Sequence, residues 1–178
     1  MLIRSLIATD AALYQPLRLR ALREHPEAFA SAFEEEQQLS LETVAKRLQQ
    51  SSAERYALGA FAREELNGLL HFRRWEGLKI QHRASIGGMY VPPEYRGRGI
   101  GKALLLEAIT RARTLSGLEE LILAVTVGNE QARALYLAVG FTSVAGDPRY
   151  LKIGGQYFDI EWMHLSLSRE GSAAKETA

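Results

Sequence analysis

The segment Tyr95-Arg96-Gly97-Arg98-Gly99-Ile100-Gly101-Lys102-Ala103-Leu104-Leu105 places alternating glycines immediately before a strong helical pattern. Glycine allows backbone N–H groups to turn inward and to approach an anion closely. The positive end of the helix that follows points to the same place. Basic side chains at Arg96, Arg98 and Lys102 add positive charge around this point. The segment therefore predicts a phosphate-binding loop.

Two common kinds of phosphate-binding loop do not fit this segment. A P-loop ending at Gly101-Lys102 needs its first glycine at position 96, which is arginine, and its magnesium-binding hydroxyl at position 103, which is alanine. A dinucleotide-binding fingerprint that starts at Gly97 needs a small residue where the chain has Lys102. The sequence thus argues against nucleotide hydrolysis and against dinucleotide binding.

The sequence on both sides of the loop narrows its identity. Before the loop, residues 86–91 read as a strand that ends in Val-Pro. After the helix comes an apolar strand, and then a second motif that consists of Asn129, Ala132, Leu135-Tyr136 and Gly140-Phe141. This order resembles the GNAT superfamily of N-acyltransferases, whose Arg-x-x-Gly-x-Gly loop binds the pyrophosphate of acetyl-CoA. The resemblance is close over residues 84–142 and extends to the rest of the chain only by pattern.

Composition sets the broad class of the protein. The chain has 178 residues, a net charge of +1 and no cysteine. It is expected to form a single domain over residues 1–167, followed by a flexible tail at 168–178. The near-zero net charge gives no reason to expect binding to nucleic acid. There is no membrane-spanning apolar run and no signal-peptide pattern, so a cytoplasmic location is expected. The lack of cysteine excludes disulfides and an acyl-cysteine intermediate.

Strand and helix patterns alternate along the chain. Apolar spacing predicts strands at 2–7, 56–63, 66–75, 79–91, 120–127, 141–145 and 156–167. It predicts helices from about Pro16 to His25, from Ser40, from Gly99 to about Leu115 and over 129–138. The pair Gly87-Gly88 indicates a bulge or a close backbone approach. The GNAT resemblance implies an α/β (α+β) fold, with a mixed, mostly antiparallel sheet of six to seven strands and about four flanking helices.

The resemblance also implies the roles of individual residues. Backbone amides between Arg96 and Gly101 should hold the diphosphate, and the strand Met89–Tyr90–Val91 should pair with the pantetheine arm, to which the Asn129 side chain should bond. Tyr136 matches the general acid that protonates the departing sulfur. The implied cofactor-binding residues are Met89, Tyr90, Val91, Arg96, Gly97, Arg98, Gly99, Ile100, Gly101, Lys102 and Asn129. No metal is expected, because the four histidines are scattered without metal-ligand spacing.

The acceptor side is less determined by sequence. Phe29, Phe33 and Tyr157 are candidates to line an amine pocket, together with Tyr90 and Tyr150, and Glu34 to Glu36 could form an acidic lip that attracts a cation. Some relatives place a catalytic glutamate where this chain has Ser85, which cannot act as a base. A water chain is expected instead, ending on His82, on one of the three glutamates or on a backbone carbonyl.

Several functions remain open at this stage. The resemblance implies direct transfer of an acetyl group from acetyl-CoA to a primary amine of a small molecule, an amino acid or a peptide, through a ternary complex. Alternatives are a CoA-binding regulatory module without catalysis, and a protein N-terminal or lysine acetyltransferase. A further alternative is a general anion- or nucleic-acid-binding domain that uses the Arg-Gly-Arg loop, although the near-neutral charge argues against it. Exposed strands near the C-terminus could pair into a homodimer.

Overall fold

The computed structural model describes residues 1–167, and the predicted tail at 168–178 lies outside the described residues. The structure contains a seven-stranded sheet with the order β1-β2-β3-β4-β5-β7-β6. Within residues 1–167 only the pair β4–β5 is parallel. The strands are β1 (Leu2–Ser5), β2 (Arg55–Ala62), β3 (Glu65–Arg74), β4 (Arg83–Tyr90), β5 (Glu120–Thr126), β6 (Thr142–Ile153) and β7 (Gln156–Ser166). The predicted mixed, mostly antiparallel sheet is confirmed.

Helices cover both faces of this sheet. They are α1 (Ala11–Glu24), α2 (Phe33–Glu36), α3 (Leu41–Gln49), α4 (Ile100–Ala112) and α5 (Glu130–Ala138). Four of the five have nine residues or more, and α2 is a single turn. The prediction of about four flanking helices is therefore confirmed within the described part of the chain.

Two apolar cores lie on opposite faces of the sheet, and β2 contributes to both. Leu58 and Ala60 pack into the core under α4, whereas Ala57 and Phe61 pack into the core under α1 and α3. Because successive strand side chains point to opposite faces, a strand covered on both sides is apolar almost throughout. The sequence of β2, Arg-Tyr-Ala-Leu-Gly-Ala-Phe-Ala, has this composition.

The first helix starts earlier than its sequence indicates. Proline lacks the N–H that a helix interior uses, and the predicted main helix therefore began near Pro16. In the structure α1 begins at Ala11 and contains Pro16 in its interior. Pro16 and Ala12 are both exposed, so the carbonyl that Pro16 leaves without its helical donor lies at the surface. Burial of Ala11 and Tyr14 on the other face favours the additional turn.

Two strand boundaries also differ from the sequence prediction. Residues 79–82 form turns, so β4 begins only at Arg83. Strand β6 continues to Ile153, well past the predicted end at residue 145, because its pairing with β7 resumes after an irregular stretch between Asp147 and Leu151. The prediction missed this part because Gly146, Asp147 and Pro148 are typical of turns.

Candidate active site

A gap opens in the middle of the sheet where the two parallel strands separate. Strands β4 and β5 pair only over residues 83–85 and 120–122. Beyond this point β4 pairs with β3, β5 pairs with β7, and within residues 1–167 no ladder joins β4 to β5. Backbone groups of the second half of β4 therefore face a space that no neighbouring strand fills.

A bulge in β4 shapes one side of this gap. The pairing of β3 with β4 shifts register between Leu69 and His71, which confirms the bulge predicted from Gly87-Gly88. Gly88 has a φ of +59°, and a Cβ at this position would lie 2.6 Å from Nδ1 of His71. Only glycine fits here, because a side chain would be strained and would also collide with His71.

The first of two cavities in the gap has a volume of about 630 Å³. It is bounded by the end of β4, by the glycine-rich loop and by the first turn of α5. Ten of the predicted cofactor-binding residues line it, namely Met89, Tyr90, Val91, Arg96, Gly97, Gly99, Ile100, Gly101, Lys102 and Asn129. Arg98 is not among the lining residues, since its guanidinium donates to the Glu94 carbonyl at 3.1 Å and lies over the Tyr95 ring.

The three loop glycines are required for two different reasons. Gly97 and Gly99 have φ values of +74° and +76°, and nothing lies within 4 Å of a Cβ built on either one. Their backbones are therefore open to an approaching anion, and Gly99 is also the N-cap of α4. Gly101 is different, since a Cβ there would lie 3.1 Å from Cδ2 of Leu135. Its small size allows α4 to approach α5.

Arg96 fixes the position of the loop. Its Nε donates to the Val91 carbonyl at 2.9 Å, and its Nη2 lies 3.1 Å from Nε2 of His25. Because a guanidinium only donates hydrogen bonds, Nε2 of His25 is the acceptor. Arg96 thus connects the loop to the end of β4 and to the end of α1, while it also lines the first cavity.

A second cavity of about 450 Å³ adjoins the first. Both are lined by Phe29, Met89, Thr126 and Asn129, so the two cavities meet between the ends of β4 and β5. Oγ1 of Thr126 donates a hydrogen bond to the Glu27 carbonyl at 2.5 Å. This bond holds the segment after α1 against the junction.

Tyr136 lies on α5 and lines the second cavity. Only 9% of the residue is exposed, and burial raises the pKa of its hydroxyl to about 12. A phenol with this pKa stays protonated throughout the neutral range and acts as a hydrogen-bond donor.

Asn129 serves as the N-cap of α5. Its Oδ1 accepts a hydrogen bond from the Ala132 N–H at 3.2 Å. The carboxamide also has two N–H donors, which the cap does not use. Since Asn129 lines both cavities, it can cap the helix and donate to a ligand at the same time.

Comparison with known proteins places this chain in a family. The sequence profile described as "Acetyltransferase (GNAT) family" matches residues 19–141. The chain belongs to the GNAT acetyltransferase family. Its fold also matches YncA of Salmonella typhimurium, solved with its cofactor acetyl-CoA, with a TM-score of 0.82 and 21% identity over 100% of this chain and 99% of that one.

The curated relatives match this chain over only part of its length. The L-methionine sulfoximine/L-methionine sulfone acetyltransferase of Pseudomonas paraeruginosa is 31% identical over 104 residues, which cover 57% of each chain. The spermidine N(1)-acetyltransferase of Vibrio cholerae is 27% identical over 118 residues, which cover 66% of each chain. The chain therefore spans less than two thirds of the length of either relative.

The residues predicted for the acceptor side of this GNAT chain lie in different places. Phe29 lines both cavities and Tyr150 lines the second. Phe33 and Tyr157 line neither: Arg23 lies over the Phe33 ring at 4.6 Å, and Arg149 lies over the Tyr157 ring at 3.9 Å. Strand alternation explains the second case, because the next residue along β7, Phe158, lines the first cavity.

The side chains predicted as proton acceptors of the GNAT site lie outside both cavities, whereas a backbone carbonyl remains a candidate. Among the cavity-lining residues in the described part of the chain, His82 and Glu34 to Glu36 do not occur. Ser85 lines the second cavity, where its hydroxyl donates to the Arg73 carbonyl at 3.3 Å.

Arg18 and His71 are among the residues of the second cavity that the sequence analysis does not predict. His71 lies 3.0 Å from the Tyr14 hydroxyl, and burial, assisted by the charge of Arg18, lowers its pKa to about 3. The imidazole is therefore neutral and a weak base. For Arg18 a signal exists in the sequence, because it occupies the buried spacing of Tyr14, Leu17, Ala21 and Leu22 on α1.

None of the helices within residues 1–167 has the length and apolarity needed to cross a membrane. The same described residues contain no group of three His, Asp or Glu side chains arranged to hold a metal ion.

Proposed function

We propose that this chain transfers the acetyl group of acetyl-CoA directly to the primary amine of a small molecule in a ternary complex. The observation that carries this proposal is the junction of two cavities at Met89 and Asn129. A phosphate-binding loop borders one cavity and Tyr136 lines the other, so cofactor and acceptor can approach the junction from opposite sides. The two relatives named above act on small-molecule amines, which also supports this acceptor class.

The residues of the first cavity fit acetyl-CoA. Backbone amides between Gly97 and Gly101, the start of α4 and Lys102 offer donors and positive charge to a diphosphate. Each charge-assisted hydrogen bond of this kind contributes about 1.5–3 kcal/mol. Met89 and Val91 line the first cavity, at the part of the gap where β4 has no pairing with β5. An extended pantetheine arm can form hydrogen bonds with the backbone there, as an added strand does. When bound, acetyl-CoA supplies an activated thioester.

The free amine is the scarce species in this reaction. An alkyl ammonium has a pKa of about 10.4, so removing its proton at pH 7 costs roughly 4–5 kcal/mol. The amine nitrogen then forms a bond to the acetyl carbon, the carbon–sulfur bond breaks, one proton leaves the nitrogen for water and one proton reaches the sulfur. The chain contains no cysteine that could carry the acetyl group between the two substrates.

Tyr136 acts on the departing sulfur. An unperturbed thiol has a pKa of about 8.5, so moving the Tyr136 proton, with its pKa of about 12, to a free thiolate is uphill by roughly 5 kcal/mol. The hydroxyl therefore donates a hydrogen bond that becomes stronger as negative charge develops on sulfur. Proton transfer is completed only as the carbon–sulfur bond breaks, and Tyr136 then regains its proton from water.

A thiol-release assay with acetyl-CoA tests the proposal. The acceptor panel contains free amino acids, spermidine, aminoglycosides and short peptides, and mass spectrometry identifies the acetylated product. We expect stoichiometric thiol release and N-acetylation with at least one small-molecule amine. Tight acetyl-CoA binding without acetylation of any amine would instead support a CoA-binding regulatory module, and acetylation of peptides alone would support a protein acetyltransferase.

The remaining expectations from the sequence stay predictions. These are the single domain over residues 1–167, the cytoplasmic location, the homodimer, and the lack of a metal and of a nucleic-acid partner. Size-exclusion chromatography with light scattering measures the oligomeric state directly.

A further inference from the structure

The charged side chains of the second cavity all have the same sign. Among the described residues that line it, the charged ones are Arg18 and Arg73. The second cavity is not lined by Glu34 to Glu36, which the sequence analysis gives as a candidate acidic lip. The wall around the expected acceptor therefore presents positive charge.

Arg18 is buried with most of its donors unused. Only 4% of the residue is exposed, and its ion pair is a single contact of 3.3 Å from Nη2 to Oε1 of Glu36. Its Nε and Nη1 are buried and have no hydrogen-bond partner within residues 1–167. The guanidinium lies 5.0 Å from the centre of the Phe29 ring, which lines the same cavity. A buried charge in this condition is costly unless a further partner of opposite charge arrives.

Arg73 also pairs with one glutamate, but it differs from Arg18 in its exposure to water. More than half of its side chain is exposed, and it pairs with Glu76 at 3.1 Å. Water and Glu76 therefore screen its charge. Arg18, which is shielded from water, is the main source of positive potential at this wall, and its effect extends to His71, whose protonated form it disfavours.

We infer that the second cavity receives an amine that also bears a carboxylate, as an amino acid does, with the carboxylate beside Arg18 and the amine toward Met89 and Tyr136. This inference rests on the proposed acetyl transfer and specifies its acceptor class. A guanidinium donates charge-assisted hydrogen bonds to a carboxylate, and Nε and Nη1 of Arg18 are donors that the protein leaves free for one. The aromatic side chains Phe29, Tyr150 and Trp162 line the rest of the space and favour an apolar amino-acid side chain.

The positive wall also separates classes of amine. A polyamine brings only positive charge, and the potential of Arg18 repels it. An amino acid is a zwitterion, so its carboxylate offsets that repulsion while its ammonium lies near the junction. The same potential favours loss of the ammonium proton, which produces the neutral nucleophile that the transfer needs.

Three acceptors that share one side chain test this inference: L-phenylalanine, L-phenylalaninamide and phenethylamine. With acetyl-CoA in excess, we expect kcat/KM for the amino acid to exceed that for the other two by about tenfold or more, the usual effect of losing a charge-assisted contact. In Arg18→Met the preference should fall to about threefold or less, and Arg18→Lys should keep part of it. Arg23→Met is the matched control, because Arg23 is an exposed arginine of the same helix that lines neither cavity.

Calorimetry on the wild-type protein saturated with CoA separates failure of the inference from failure of the proposed function. Binding of L-phenylalanine in preference to its amide, without acetylation, would sustain the acceptor site and overturn the transferase. Equal binding of the two, or a preference for spermidine, would overturn the inference even if acetylation occurs. A full carboxylate preference in folded Arg18→Met would overturn it as well, and the wild-type comparison decides the matter if that variant does not fold.

Discussion

The two cavities of this site are built in opposite ways. The first takes ten of its lining residues from one continuous segment, residues 89–102, which contains the glycines whose backbone is open to an anion; the others come from residues 25–29, residues 126–135 and Phe158. The second is lined by residues from α1 and the segment after it and from β3, β4, β5, α5, β6 and β7, which are far apart in the chain. Backbone amides recognise a phosphate whatever the neighbouring side chains are, whereas a side-chain wall can change with each substitution. Under the proposed function, we therefore expect the first cavity to bind the cofactor and the second to determine the acceptor.

Gly99→Glu should have the largest effect, because it changes the loop that lines the first cavity. The substitution introduces a side chain at a φ of +76° and adds a negative charge where the diphosphate should bind. Losing two charge-assisted hydrogen bonds weakens the affinity for acetyl-CoA by about 100-fold or more. Isothermal titration calorimetry measures this loss.

Gly155→Glu is the matched control for that experiment. Gly155 has a φ of +88°, has nothing within 4 Å of a Cβ and lines neither cavity. It should suffer similar backbone strain, of about 1–2 kcal/mol in unfolding free energy, and keep its cofactor affinity. Unchanged affinity in folded Gly99→Glu would contradict the phosphate-binding role of the loop.

Tyr136→Phe should affect the second cavity and leave the first intact. Removal of the hydroxyl should lower kcat by about 100-fold, the lower range for loss of a general acid, with an unchanged dissociation constant for acetyl-CoA. Because the pKa of Tyr136 is about 12, its proton is present at all lower pH values, so kcat should show no fall attributable to this residue below about pH 11. A kcat equal to that of the wild type would remove Tyr136 from the mechanism.

The same contrast explains what the sequence could and could not predict. Gly97, Gly99 and Gly101 are neighbours in the chain, so their spacing alone indicated the loop, and Gly87-Gly88 indicated the bulge for the same reason. Arg18 and His71 come together only because α1 crosses β3 in the folded chain, and no local pattern joins them. Aromatic character alone predicts Phe33 and Tyr157 for the acceptor side, but cation–π contacts with arginines hold both rings outside the two cavities.

Asn129→Asp tests the residue that lines both cavities, because it separates helix capping from donation to a ligand. Aspartate can keep the cap, since its carboxylate oxygen accepts from the Ala132 N–H as the amide oxygen does. It loses the N–H donors and places negative charge beside the cofactor, so the affinity for acetyl-CoA should fall by about tenfold while stability is maintained. Asn129→Ala loses the cap as well and should cost about 1 kcal/mol of unfolding free energy. Normal affinity in Asn129→Asp would limit this residue to capping.

Tyr56→Phe should have the smallest effect, and it shows how a buried tyrosine outside both cavities differs from Tyr136. The Tyr56 ring stacks on Phe72 with a centroid separation of 4.7 Å, and burial raises the pKa of its hydroxyl. That hydroxyl is buried without a hydrogen-bond partner within residues 1–167. Phenylalanine keeps the stacking and removes the desolvated group, so the free energy of unfolding should rise by about 1 kcal/mol with kcat unchanged. Urea unfolding with a constant m-value measures the gain, and a loss of stability would show that the hydroxyl has a partner in solution.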